Sequence, residues 1–290
     1  MKIEVKGHSG CQIDVVREGK DLFVVKSTED PKYFKRLILQ AEKQKQASIP
    51  RLQHIRVPNI HIIEQADDTV RVKMDYVYSR NFVEYFEQAG FEQVEYLIEA
   101  LIKYINYEVD NSGMELIDPR IITDKFADVK EKTLSNSSLE KDNEIKEILD
   151  KSDKIFGGLD HIEIPVGKCH GDLTFSNILF NGNNYFLIDF LDSFIESPLL
   201  DIVKLRQDTA WHWSPLMYVN EYDDIRLKIA FGKIDDELNK YFTSKYGWYR
   251  QYYKPLQLMN FLRIIQYAHD PKVITYLKTT LKKQLAEYEA

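Results

Sequence analysis

The sequence predicts an α+β fold in two parts, a small β-rich part with one helix followed by a larger, mostly helical part. Three observations carry this reading. Up to Tyr76 the apolar residues alternate with polar ones in short runs, the period of half-buried strands. From Asn81 onward they recur three and four positions apart, the period of amphipathic helices. One stretch in the helical part breaks that rule: Ile178-Leu179-Phe180, the polar turn Asn181-Gly182-Asn183-Asn184 and the apolar run from Tyr185 to Phe190 read as a hairpin.

In chain order, Ile3 and Val5 mark one face of a first strand, Gln12 to Arg17 a second, and Leu22 to Val25 a third. Glu18-Gly19-Lys20-Asp21 turns the chain between the last two. Pro31 opens a helix at its first position, and Tyr33, Leu37, Ile38 and Ala41 recur along it. Strands are expected over 57–63 and 69–76, joined by Asp67-Asp68. Helices are expected over 82–88, 93–109 and 139–155, with a core helix over 256–267. Residues 110–136, with Asp118-Pro119 and a Ser/Asn cluster, read as loop-like, an insertion or flap.

The 290 residues are 44% hydrophobic, enough for a sizeable core. A net charge of −7 argues against nucleic acid as a partner, because phosphate backbones select basic surfaces. No apolar run has membrane-spanning length, and Met1-Lys2-Ile3-Glu4-Val5-Lys6 has no apolar signal core, so no membrane association and a cytoplasmic location are expected. The two cysteines, Cys11 and Cys169, form neither a disulfide framework nor a zinc pattern.

The polar chemistry collects at Cys169-His170-Gly171-Asp172-Leu173-Thr174-Phe175-Ser176-Asn177 and at Leu187-Ile188-Asp189-Phe190. A hairpin brings its ends together, so Asn177 and Asp189 should be neighbours in space. One carboxylate can take a proton from a substrate hydroxyl. A second carboxylate and an amide oxygen can hold Mg²⁺ against nucleotide phosphates, because Mg²⁺ prefers hard oxygen ligands. Asp172 and Asn177 stand five positions apart, the spacing of the Asp and Asn in the protein-kinase catalytic loop.

With His170-Gly171-Asp172 in place of His-Arg-Asp, the segment resembles the aminoglycoside phosphotransferase and choline kinase superfamily, the small-molecule branch of the kinase-like fold. The resemblance runs from about Lys2 to Asp201 and implies two lobes, an N-terminal nucleotide-binding lobe over 1–77 and a C-terminal catalytic and substrate-binding lobe over 78–290. It implies that Asp172 orients and deprotonates the acceptor hydroxyl and that Asn177 and Asp189 hold Mg²⁺. It further implies that Lys26 steadies the phosphates of ATP or GTP, paired with Glu42 of the helix that follows. Gly7-His8-Ser9-Gly10 would cover those phosphates, with Ser9 as a contact. Val5, Ile13, Val24, Met74, Leu179 and Ile188 would line the adenine slot, and backbone groups at Asp75 and Val77 would bond the base. Asp201 would cap a helix starting near Ile202.

Leu191 stands where protein kinases have the Gly of Asp-Phe-Gly, and no Ala-Pro-Glu segment follows, which argues against a protein kinase. The choline kinase pattern has Asn at the place of Gly171 and an acidic residue at the place of Leu191. The expected acceptor is therefore the hydroxyl of a small molecule: an amino alcohol, an aminoglycoside or a sugar. Asp192, Glu196, Trp211 and Trp213 are candidates for recognising it, since aromatic faces stack on sugars or enclose cationic nitrogen. The alternative reading is a catalytically silent kinase-like module that binds nucleotide.

Overall fold

The computed structural model describes residues 3–6, 11–48 and 52–289. In chain order the elements are β1 (Ile3–Lys6), β2 (Gln12–Glu18), β3 (Asp21–Thr28), α1 (Pro31–Ala47), β4 (Ile55–Arg56), β5 (Ile60–Gln65), β6 (Val70–Asp75), α2 (Phe82–Phe86) and α3 (Phe91–Asp110). There follow β7 (Ser112–Ile117), α4 (Pro119–Ser135), α5 (Asn143–Gly157), β8 (Ile162–Gly167), β9 (Ile178–Asn181) and β10 (Asn184–Leu187). The remainder is α6 (Pro198–Thr209), α7 (Trp213–Leu216), α8 (Asp224–Lys245), α9 (Gly247–Ile265) and α10 (Pro271–Glu289). The α+β class read from the sequence is the class observed.

The chain divides into two compact units. The first takes in Met1–Tyr107, His170–Ser193 and Glu221–Ala230; the second takes in Glu108–Cys169, Phe194–Asn220 and Phe231–Ala290.

In the first unit a five-stranded antiparallel sheet has the order β1-β2-β3-β6-β5. Directly opposed residues share a face, so Ile13, Lys26 and Val72 lie on one side together with Val15, Val24 and Met74. That side is covered by α1. Leu37 and Ala41 pack with Ile60, Val70, Val72 and Met74 in one core, against which Val24 also rests. Asp30 caps α1 through the Lys32 N–H, and Pro31 occupies its first turn. A second sheet, β4-β10-β9, carries the predicted hairpin. Its underside is aromatic: Tyr85 stacks on Phe180 at 4.4 Å, and the Tyr85 and Tyr185 hydroxyls are 3.2 Å apart. The backbones of Arg80 and Phe180 exchange hydrogen bonds, tying this sheet to the segment that leaves β6.

In the second unit β7 pairs with β8, and α4 meets α5 through Phe126 and Phe156, 4.9 Å apart. The expectation of a loop over 110–136 fails here. Asp118 accepts the Arg120 N–H and Pro119 follows, so the pair that reads as a turn is the start of α4. Ile122, Phe126, Val129 and Thr133 form its buried stripe. Asp201 is likewise corrected: α6 begins at Pro198, Ser197 is its cap, and Asp201 is a buried first-turn residue. Ser197 Oγ also donates to the Pro165 carbonyl at 2.6 Å, which fixes the entry of α6 against β8.

Candidate active site

The candidate site lies in the first unit, where β3, the 170–177 loop and the end of β10 supply its polar groups. Lys26 projects from the sheet face covered by α1, and its ammonium is ion-paired with the Asp189 carboxylate. Asp189 has φ +62, a left-handed backbone that costs a non-glycine residue energy and is found at functional positions. The hairpin brings its ends together as expected, since the Ile188 N–H donates to the Asn177 carbonyl at 3.0 Å. Asn177 Nδ2 donates to both the Asp172 carbonyl, at 2.8 Å, and Asp172 Oδ2, at 3.0 Å. With its amide nitrogen so committed, the oxygen of Asn177 is the end left to face a ligand.

His170 holds this loop. It is fully buried, its Nε2 donates to the Ile188 carbonyl at 2.9 Å, and its Nδ1 accepts the Asp172 N–H at 3.2 Å. The two backbone partners fix one neutral tautomer. Burial pushes the imidazole down to about 4; the nearby Asp172 charge and the bond to Ile188 oppose this, and the Lys43 charge adds to it. The ring is therefore a brace. The unfolded chain takes up this proton near pH 6.5 and the folded chain only near pH 4. The contribution to stability is therefore complete above about pH 6.5 and lost as pH falls toward 4, by about 3 kcal/mol in all. Denaturant unfolding from pH 7 to 4 should show a shallower fall for His170→Gln than for the unaltered chain. Parallel falls would contradict a neutral His170.

Gly171 has φ +88, and a Cβ placed on it would lie 1.9 Å from the Leu191 carbonyl oxygen and 3.3 Å from Lys43 Nζ. The loop and the exit of β10 thus touch backbone to backbone. The Leu191 N–H donates to the His170 carbonyl at 3.0 Å, and Lys43 Nζ donates to the Leu191 carbonyl at 2.6 Å.

Glu42 does not take its expected place. It is exposed and forms no ion pair with Lys26, whose partner is Asp189. The buried stripe Leu37, Ala41 and Gln44 sets residues 42 and 43 on opposite flanks of α1, and the flank facing the site carries Lys43.

The positions expected around adenine are partly described. Ser9 and the side chain of Val5 lie outside the described residues, although β1 places Val5 opposite Ile13. Met74 is buried in the core, and Ile13, Val24, Leu179 and Ile188 are half-buried. Phe186, opposite Leu179 in the hairpin and half-buried on the same face, was not anticipated, though the alternation of β10 marks it. The Asp75 carboxylate is turned to Asn59 and to His61, 2.6 Å away, and the Asp75 N–H donates to the Asn59 carbonyl. Among the described residues the Val77 N–H has no hydrogen-bond partner.

The acceptor candidates fall in both units. Asp192 is exposed in the first. In the second, Glu196 accepts a hydrogen bond from Cys169 Sγ at 3.2 Å. Trp211 and Trp213 meet around Tyr276, whose hydroxyl donates to the Trp211 carbonyl and whose ring lies 6.0 Å from that of Trp213. Among the described residues no helix is long and apolar enough to cross a membrane.

A family model described as the phosphotransferase enzyme family matches residues 87–228. No curated protein matches the sequence significantly. Solved structures share the fold across nearly the whole chain. A ternary complex of a thermostable aminoglycoside phosphotransferase APH(4)-Ia mutant with AMP-PNP and hygromycin B has a TM-score of 0.66 at 9% identity, covering 99% of this chain and 94% of that one. A choline/ethanolamine kinase family protein from Mesorhizobium loti has 0.59 at 15%, covering 100% and 88%. The amicoumacin kinase hAmiN, in complex with AMP-PNP, Ca²⁺ and Ami, has 0.60 at 12%, covering 99% and 88%. The family model matches just under half of the chain, and the solved structures share its fold, which is the fold that the resemblance read from the motif implies.

Proposed function

We propose that this chain transfers the γ-phosphate of ATP to a hydroxyl of a small molecule, with Mg²⁺ as the metal. The observation that carries the reading is the convergence of Lys26, Asp189, Asn177 and Asp172 on one loop and one strand end. The donor set suits the metal: one carboxylate and one amide oxygen, with nucleotide phosphates and water completing the shell. Mg²⁺, when bound, neutralises phosphate charge. Lys26, ion-paired with the Asp189 carboxylate, would steady the nucleotide phosphates, and Asp189 and Asn177 would hold the metal. Asp172 accepts the proton of the acceptor hydroxyl as its oxygen bonds to the γ-phosphorus and the bond to the departing ADP oxygen breaks. The Val77 N–H is a donor for the adenine edge, and Val24, Met74, Leu179 and Phe186 supply apolar walls. The N-terminal lobe, 1–77, is the nucleotide lobe in this reading, and 78–290 carries the catalytic and acceptor groups. The acceptor is an amino alcohol, an aminoglycoside or a sugar-like molecule, with Asp192, Glu196, Trp211 and Trp213 as its candidate contacts.

Asp189→Ala tests the metal assignment. With its anionic ligand gone, magnesium-dependent ATP binding should be lost and transfer should fall below detection, while Asn177→Ala, which removes a neutral ligand, should be milder. Turnover unchanged in Asp189→Ala would refute the role. A phosphate-transfer screen over amino alcohols, sugars, nucleosides and aminoglycosides identifies the acceptor.

A further inference from the structure

One cation of the site has no part in the reaction just described. Lys43 lies near the end of α1, on the flank turned toward the 170–172 loop. Its ammonium donates to the Leu191 carbonyl, and the same oxygen is the atom that leaves no room for a side chain at Gly171. The Leu191 N–H is held by the His170 carbonyl. Residue 191 is thus gripped on both sides, by the loop through its N–H and by α1 through its carbonyl. The helix itself is anchored to the sheet, where Gln44 Nε2 donates to the Pro58 carbonyl at 3.1 Å and Leu37 and Ala41 pack in the core.

We propose that Lys43 is a positioning residue: it fixes the Asp189 strand exit and the catalytic loop to α1, so that Asp172 and Asp189 keep one spacing. The proposal rests on the phosphotransfer reading above. A charged donor to a carbonyl in a partly buried setting is stronger than a neutral one. A loop displaced by about 1 Å from its productive place loses up to about 100-fold in rate. The helix that the resemblance expects to serve Lys26 through Glu42 serves the catalytic loop through Lys43 instead.

The test compares the unaltered chain, Lys43→Met and Lys43→Arg, using ATP with MgCl₂ as ligand and ADP formation with the acceptor found by screening as the activity. In Lys43→Met, kcat should fall about 10- to 100-fold, while KM for ATP should stay within about threefold. Hydrogen exchange in peptides covering 169–173 and 189–192 should rise about tenfold, with α1 and the rest of the chain unchanged. Lys43→Arg, which keeps a charged donor, should recover most of both. Unchanged kcat and exchange in Lys43→Met overturn the proposal while leaving the phosphotransfer reading standing. So does a large rise in KM for ATP with unchanged exchange, which would make Lys43 a nucleotide ligand. Failure of the unaltered chain to bind ATP with MgCl₂ overturns the phosphotransfer reading and, with it, the positioning role.

Discussion

Asp172→Asn should lower turnover by about 10²–10⁴-fold, the usual worth of a general base, and leave ATP affinity nearly unchanged. The substitution is close to isosteric. The oxygen of the new amide can still accept the Asn177 Nδ2 donor that Oδ2 now takes at 3.0 Å, and the Asp172 carbonyl still takes the other, so Asn177 keeps its orientation. The N–H of residue 172 remains on His170 Nδ1. What is removed is the negative charge that receives the hydroxyl proton in the proposed reaction. Phosphoryl transfer depends mainly on positioning and charge stabilisation, so a base that also aligns the hydroxyl is costly to lose. Turnover within a few-fold of the parent would remove Asp172 from this role, and lost ATP binding with near-normal transfer would make it a nucleotide ligand.

Gly171→Ala should be equally damaging for a different reason. Residue 171 has φ +88, where any Cβ is strained, and the added methyl would sit 1.9 Å from the Leu191 carbonyl oxygen and 2.8 Å from its carbon. Neither is the end of a flexible side chain, so the loop must open. We expect a loss of at least about 2 kcal/mol in unfolding free energy, together with loss of turnover. Gly171→Asn separates the two causes. Asn tolerates positive φ better than Ala but carries the same Cβ, so it should fare no better if the close approach dominates. Normal stability and turnover in Gly171→Ala would show that the backbone contact is not required.

Much of this was legible in the sequence for a physical reason: local spacing carries it. Strand alternation located the sheet, and the polar turn at Asn181-Gly182 located the hairpin that brings Asn177 and Asp189 together. The five-residue interval from Asp172 to Asn177 corresponds to one contact between the two side chains. Other features depend on information that spacing lacks. Asp118-Pro119 is a turn signal and a helix-start signal at once, so a loop was expected where α4 stands. Glu42 and Lys43 are adjacent on opposite flanks of α1, and periodicity identifies the buried stripe without saying which flank meets the site. The need for glycine at 171 comes from a carbonyl twenty residues later in the chain. The aromatic residues of the helical part all fit a core pattern, so Trp211 and Trp213 could not be ranked against their neighbours for acceptor contact.

In the proposed function, Lys26, Asn177 and Asp189 together make one magnesium–nucleotide site. Calorimetric titration of the unaltered chain and of Lys26→Met with ATP, each with and without MgCl₂, measures that site most directly, with circular dichroism as the check that Lys26→Met stays folded. Binding by the unaltered chain should be saturable at one site, require Mg²⁺ and be strongly weakened in folded Lys26→Met. No binding by the unaltered chain, or binding that is indifferent to both Mg²⁺ and Lys26, would contradict the proposed function.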